Sequence, residues 1–99
     1  MDDKQIIELY WARSERAIAE TDSKYGKLCH RIAFHILADS QDSEECVNDT
    51  YLKVWSVIPP QRPVKFPAFL GKITRNLALN RYERNTAGKR GGGEMTIAL

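Results

Sequence analysis

Apolar residues recur along this chain at intervals of three and four, and nowhere do they alternate as a half-buried strand requires. Ile6, Ile7, Tyr10 and Trp11 share one side of a short segment from Asp3 to about Trp11. So short a helix depends on its neighbours for stability. A second, longer helix is predicted from about Ser14 to Leu37, with Ser14 as N-cap and Ala17, Ile18, Tyr25, Leu28, Ile32 and Ile36 on its inner side. Gly26 inside it costs about 1 kcal/mol relative to alanine, which points to a bend or a close contact there.

The stretch ADSQDSEE closes the second helix and opens a third. Ser40, Asp42 and Ser43 are suitable caps, and Glu44 and Glu45 favour the positive end of a helix. Cys46, Val47, Thr50, Tyr51, Val54, Trp55 and Ile58 form its apolar side, and Glu45, Asn48, Asp49 and Lys53 its polar side. All four prolines then fall in IPPQRPVKFP, which makes a stiff, extended connector. Pro67 stands where a first helical turn tolerates it, and the fourth helix is expected to end near Arg84 or Asn85. The sequence NTAGKRGGGEMTIAL reads as a flexible tail. The expected architecture is all-α: a bundle of four helices over residues 1–86, followed by a linker or tail over 87–99.

Composition narrows the function. Ninety-nine residues, 42% of them hydrophobic, suffice for one small core and no second domain. The acidic start MDDKQ and the lack of any long apolar run argue against a signal peptide or a membrane span, so a cytoplasmic protein is expected. Cys29 and Cys46 lie within apolar-periodic segments and read as buried, unpaired thiols. Neither they nor His30 and His35 have the spacing of a zinc site, and the triple glycine at 91–93 is no phosphate loop. No catalytic constellation and no cofactor are implied. Charge, by contrast, is segregated. Residues 1–60 carry seven Lys/Arg against eleven Asp/Glu, and residues 61–99 carry eight against two, so a balance of −4 gives way to +6. Such a division suits two partners, a cationic protein surface and a polyphosphate.

On the fourth helix Phe66, Phe69, Leu70, Ile73 and Leu77 fall within roughly one 100° arc, a core face. Lys72, Arg75, Asn76 and Leu79 form the adjacent strip, and Asn80 and Arg84 prolong the apolar line beyond Leu77. Either the helix projects past its core or Asn80 has a buried partner. Cations beside asparagine suit nucleic acid, because Lys and Arg neutralise phosphates and Asn bonds base edges. Arg62, Lys65 and Phe66 add cations and an aromatic ring at the connector, the mixture single-stranded bases need, although Phe66 can equally close the core.

DSEECVNDTYLKVW, a short Pro/Arg/Phe connector and then FLGKITRNLALNRYER resemble region two of the extracytoplasmic-function (ECF) sigma factors of bacterial RNA polymerase, over about residues 5–86. The resemblance implies that the third helix docks on the clamp helices of the beta-prime subunit of RNA polymerase core through Asp42, Glu45, Asn48, Asp49 and Lys53. It implies that the fourth helix and the connector recognise the minus-ten promoter element and hold the opened non-template strand. Arg62, Lys65, Phe66, Lys72, Arg75, Asn76, Asn80 and Arg84 are the matching DNA-binding candidates. An anti-sigma factor is a further implied partner; a membrane is not. Phe69 stands where the family more often has tryptophan, Asn48-Asp49 replaces glutamine-glutamate, and the connector lacks the usual phenylalanine-arginine pair. The second family domain is not within these residues, and the chain is expected to be a fragment of a longer factor that stops in the interdomain linker. The rival readings are a helix-turn-helix-like regulator of duplex DNA and a helical protein-interaction module.

Overall fold

A computed structural model describes residues 1–89, and among them are four helices and no strand: α1 Asp3–Trp11, α2 Arg16–Leu37, α3 Ser40–Val57 and α4 Phe66–Lys89. No helix among the described residues is long and apolar enough to cross a membrane. The tail expected over 87–99 lies, from residue 90 onward, outside the described residues.

Each helix end has a local cause. Asp2 accepts from the Gln5 N–H at 2.8 Å while the Gln5 side chain accepts from the Asp2 N–H at 3.0 Å, a capping box that starts α1. Beyond α1, Arg13 adopts a left-handed φ of 56° and reaches across the bundle. It donates to the carbonyls of Trp55 and Ile58 at 3.0 and 2.8 Å, with its guanidinium 3.8 Å from the Trp55 ring centroid. A cation thereby closes the negative end of α3, which offsets the cost of the left-handed backbone.

The N-cap of α2 is Glu15, without a side-chain cap bond, rather than the expected Ser14, which stands one residue earlier and whose Oγ accepts from the Arg16 N–H at 3.3 Å. Between α2 and α3 the cap is Asp39 rather than Ser40, Asp42 or Ser43, with Oδ1 accepting from the Asp42 N–H at 2.8 Å. The left-handed Ala38 before it turns the chain so sharply that only Asp39 precedes the first turn. Helix α4 runs about one turn past the expected end, since no proline or glycine interrupts it between Asn85 and Ala87.

Helix α2 packs against all three others. Its most buried positions are small: Ala17, Thr21, Cys29 and Ala33 are fully enclosed, whereas Ile18, Tyr25, Ile32 and Ile36 lie at the margins. Small side chains let neighbouring backbones approach. Around them pack Ile6, Tyr10, Val54, Ile58, Phe66 and Leu70, each contributing about 1.5–3 kcal/mol on burial. Both cysteines are buried and free.

The buried hydroxyls are paired. Tyr10 and Thr21 share a hydrogen bond of 2.7 Å, and Thr50 and Thr74 join α3 to α4 at 3.1 Å. Tyr51 donates to Asp22 Oδ1 at 2.7 Å, and its phenol is held well above its usual pKa by burial and then by that carboxylate. Gly26 makes this bond possible. A Cβ there would stand 2.6 Å from Asp22 Oδ1 and 3.3 Å from the Tyr51 hydroxyl, so the glycine marks a close contact.

Candidate nucleic-acid and protein interfaces

Positions 42, 45 and 49 share one side of α3, and the structure places a cation from α4 among them. The Arg81 guanidinium lies 3.4 Å from Asp42, 3.0 Å from Glu45 and 3.7 Å from Asp49. Asn85 adds a hydrogen bond of 3.2 Å to Asp42. The Arg81 side chain is only 18% exposed, against 50% and 53% for Glu45 and Asp49. One cation against three carboxylates leaves the face acidic while fixing where its charges stand. Asn48 and Lys53 are exposed on the same helix, and their side chains form no hydrogen bond or ion pair among the described residues.

Sequence reasoning missed Arg81. The core line of α4 runs through Leu70, Thr74, Leu77 and Ala78, and Arg81 stands one turn beyond Leu77. Asn80 and Arg84, expected to prolong that line, are exposed. Spacing back to Leu77 and Thr74 was the available signal. Below the cluster, burial pushes the Cys46 thiol up to about 11, against a partly opposing Arg81 charge.

The outer side of α4 is open. Lys72, Arg75, Asn76, Asn80 and Arg84 are all exposed, and none of the three cations is in an ion pair among the described residues. Among the described residues Ala78 is the last fully enclosed one of the helix, so of the two expected alternatives the structure shows projection, not a buried Asn80. Asn80 and Arg84 line a groove between α3 and α4 with Leu77, Arg81 and Asp49. Leu79, 38% exposed, interrupts the cations with an apolar contact surface.

The connector divides the candidates differently. Arg62 donates to Glu8 at 2.7 Å and lies 4.3 Å from the Trp11 ring centroid. That hydrogen bond holds the Glu8 carboxyl below its ordinary value. Arg62 therefore ties the connector to α1, and the Trp11 indole N–H donates to the Gln61 carbonyl at 3.3 Å beside it. Phe66 requires a correction as a base-stacking candidate. At 1% exposure its ring is enclosed by Tyr25, Tyr10 and Phe69, with centroids 5.9, 6.3 and 6.5 Å away, and presents no face to a ligand. An aromatic at the first position of α4 points into the space between α1 and α2, so it closes the core. Lys65 is exposed, as is Val64 at 96%.

The described residues hold no cluster of His, Cys, Asp and Glu suited to a metal ion. Comparison with protein-family models matches residues 22–88 to Sigma-70 region 2, from the first third of α2 to the last turn of α4. No curated protein and no solved structure matched the chain.

Proposed function

The chain belongs to the Sigma-70 region 2 family of transcription initiation factors, and on that premise we propose that it binds RNA polymerase core through α3 and the minus-ten promoter element through α4. The observation that carries this reading is the projection of α4 beyond its core. Asn80 and Arg84 are exposed there, and Lys72, Arg75 and Asn76 are exposed on the outer side of the same helix, which Arg81 ties to the acidic side of α3. Asp42, Glu45, Asn48, Asp49 and Lys53 meet the clamp helices of the beta-prime subunit. Carboxylates against a basic coiled coil supply steering and register more than raw affinity.

On α4, the cations neutralise phosphates while Asn76 and Asn80 reach base edges. Extruding a base costs a few kcal/mol, and the connector next to α4 supplies part of the surface that offsets it. With Phe66 in the core and Arg62 bound to Glu8, that surface consists of Lys65 and the exposed Val64. Eight residues, 58–65, separate α3 from α4, longer than the turn before a helix-turn-helix recognition helix, which supports the sigma-type reading. We assign the domain to the ECF type on the motif order described above.

Binding to forked and fully duplex promoter DNA, with and without polymerase core, tests the proposal. Core-dependent preference for the forked template is expected. Equal binding of duplex DNA without core would instead establish an autonomous duplex regulator, and core binding with no DNA contribution a protein-interaction module.

A further inference from the structure

The second half of α2 is free of carboxylates. Between Asp22 and Asp39 the chain carries Lys24, Lys27, Arg31, His30 and His35, and not one Asp or Glu. Lys24 is occupied by Asp3 at 2.9 Å. Lys27 and Arg31 are not: one helical turn apart and exposed, they form no ion pair among the described residues. Beside them, His30 and Phe34 stack one turn apart, with centroids 6.1 Å from each other and an interplanar angle of 15°. Phe34 is 45% exposed, and these four side chains line a shallow groove with His35.

An aromatic left 45% exposed brings the fold less stability than an enclosed one, and two cations without counter-ions on the same side repel each other. Together they match one class of ligand. Single-stranded nucleic acid offers phosphates to the cations and flat base faces to the ring. An acidic protein would satisfy the charges and leave the stacked rings without a partner.

Placement adds to the argument. Ile32 packs against α4 at Gly71, where a Cβ would be 3.3 Å from Ile32 Cδ1. His35 lies one turn beyond Ile32 and Arg75 one turn beyond Gly71, both exposed. By helical phase they flank the seam between α2 and α4. The α2 face and the basic strip of α4 therefore lie on the two sides of one seam.

We infer that the outer face of α2 is a second nucleic-acid contact, in which Lys27 and Arg31 hold phosphates of a single strand and Phe34, backed by His30, stacks on a base. The inference goes beyond the α4 reading and is separable from it. Fluorescence anisotropy of the full chain with a labelled oligothymidylate, across a salt series, provides the test. Replacing both cations (Lys27→Glu with Arg31→Glu) should reduce the slope of log affinity against log salt by about 1.4, at roughly 0.7 per phosphate on a single strand. Phe34→Ala should weaken binding roughly fivefold or more. Both sites are on the surface, so helix content by circular dichroism should not change.

Unchanged binding in either variant overturns the inference. So does tighter binding of the parent chain to poly-glutamate than to the oligonucleotide. A Lys72→Glu, Arg75→Glu variant separates the two sites: loss there alone overturns the α2 contact and leaves the α4 reading standing, whereas loss in the α2 variants alone does the reverse.

Discussion

Arg81 on α4 donates to Glu45 on α3 across 3.0 Å, and the same guanidinium reaches Asp42 and Asp49. The side proposed to meet the polymerase and the helix proposed to meet DNA are thus joined by one half-buried cation. Partly exposed ion pairs contribute little individually, from nothing to about 1 kcal/mol. Arg81→Ala should destabilise by about 1 kcal/mol, a fall in Tm of about 4–8 °C in a domain of this size. Thermal melts followed by circular dichroism check this. The deficit should shrink in high salt, because the lost pairs are screened.

Phe66→Ala should be far more damaging. Truncating an enclosed aromatic costs about 3–5 kcal/mol, a large share of the stability of a small domain. Urea titration should show the loss, while Phe66→Leu should recover most of it. Selective loss of DNA binding at unchanged stability would return Phe66 to the interface.

Gly26→Ala sets helix propensity against a specific bond. Alanine gains about 1 kcal/mol in a helix interior. Its methyl, however, displaces the Asp22 carboxylate from the Tyr51 hydroxyl, and a hydrogen bond to a charged group is worth about 1.5–3 kcal/mol. Net destabilisation of roughly 1 kcal/mol is expected, and a gain in Tm would show that the carboxylate relocates at no cost.

Asn76→Ala should leave the melting temperature unchanged, since the side chain is exposed. Selectivity for promoter over scrambled DNA should fall by about 1–3 kcal/mol. Competition binding in the presence of core polymerase measures it, and equal loss on both DNAs would remove Asn76 from base recognition.

Two carboxylates contribute to the response to acid. The Arg62 hydrogen bond holds Glu8 below its ordinary value. Burial of Asp3 raises its pKa, but hydrogen bonds from Lys24 and Tyr25 outweigh this and leave it lowered. Depressed values mean that their stabilisation is fully present above the unfolded-state pKa values and is lost as pH falls through the folded ones. Stability should therefore decline below about pH 4.5, near the model-peptide value of glutamate. Arg62→Ala should remove the Glu8 share of that dependence, as urea unfolding at a series of pH values would show.

Helices α1 to α3 were legible from periodicity, and their ends only to within a residue or two, since Glu15 and Asp39 hold the cap positions expected of Ser14 and of Ser40, Asp42 or Ser43. Ile6, Ile7 and Tyr10 follow Asp2, and Cys46, Val47, Thr50, Tyr51 and Val54 follow the acidic turn at 39–45. The end of α4 was not legible, since beyond Ala78 no apolar residue among the described ones is enclosed to mark a face. Of the candidate site, the outward strip Lys72, Arg75 and Asn76 could be read from angular position alone. Which charges are free could not, because Arg62 and Arg81 find their acids 54 and 36 residues away in the chain.

Local periodicity, caps and prolines thus determined four helices, their order and the division of charge, all of which depend on neighbours in sequence. Only tertiary structure decided that small residues form the centre of α2, where α1, α3 and α4 crowd a single helix. It also placed Phe66 in the core and Arg81 among three carboxylates. Burial and pairing depend on which surfaces meet, and helical phase specifies a face without specifying its partner.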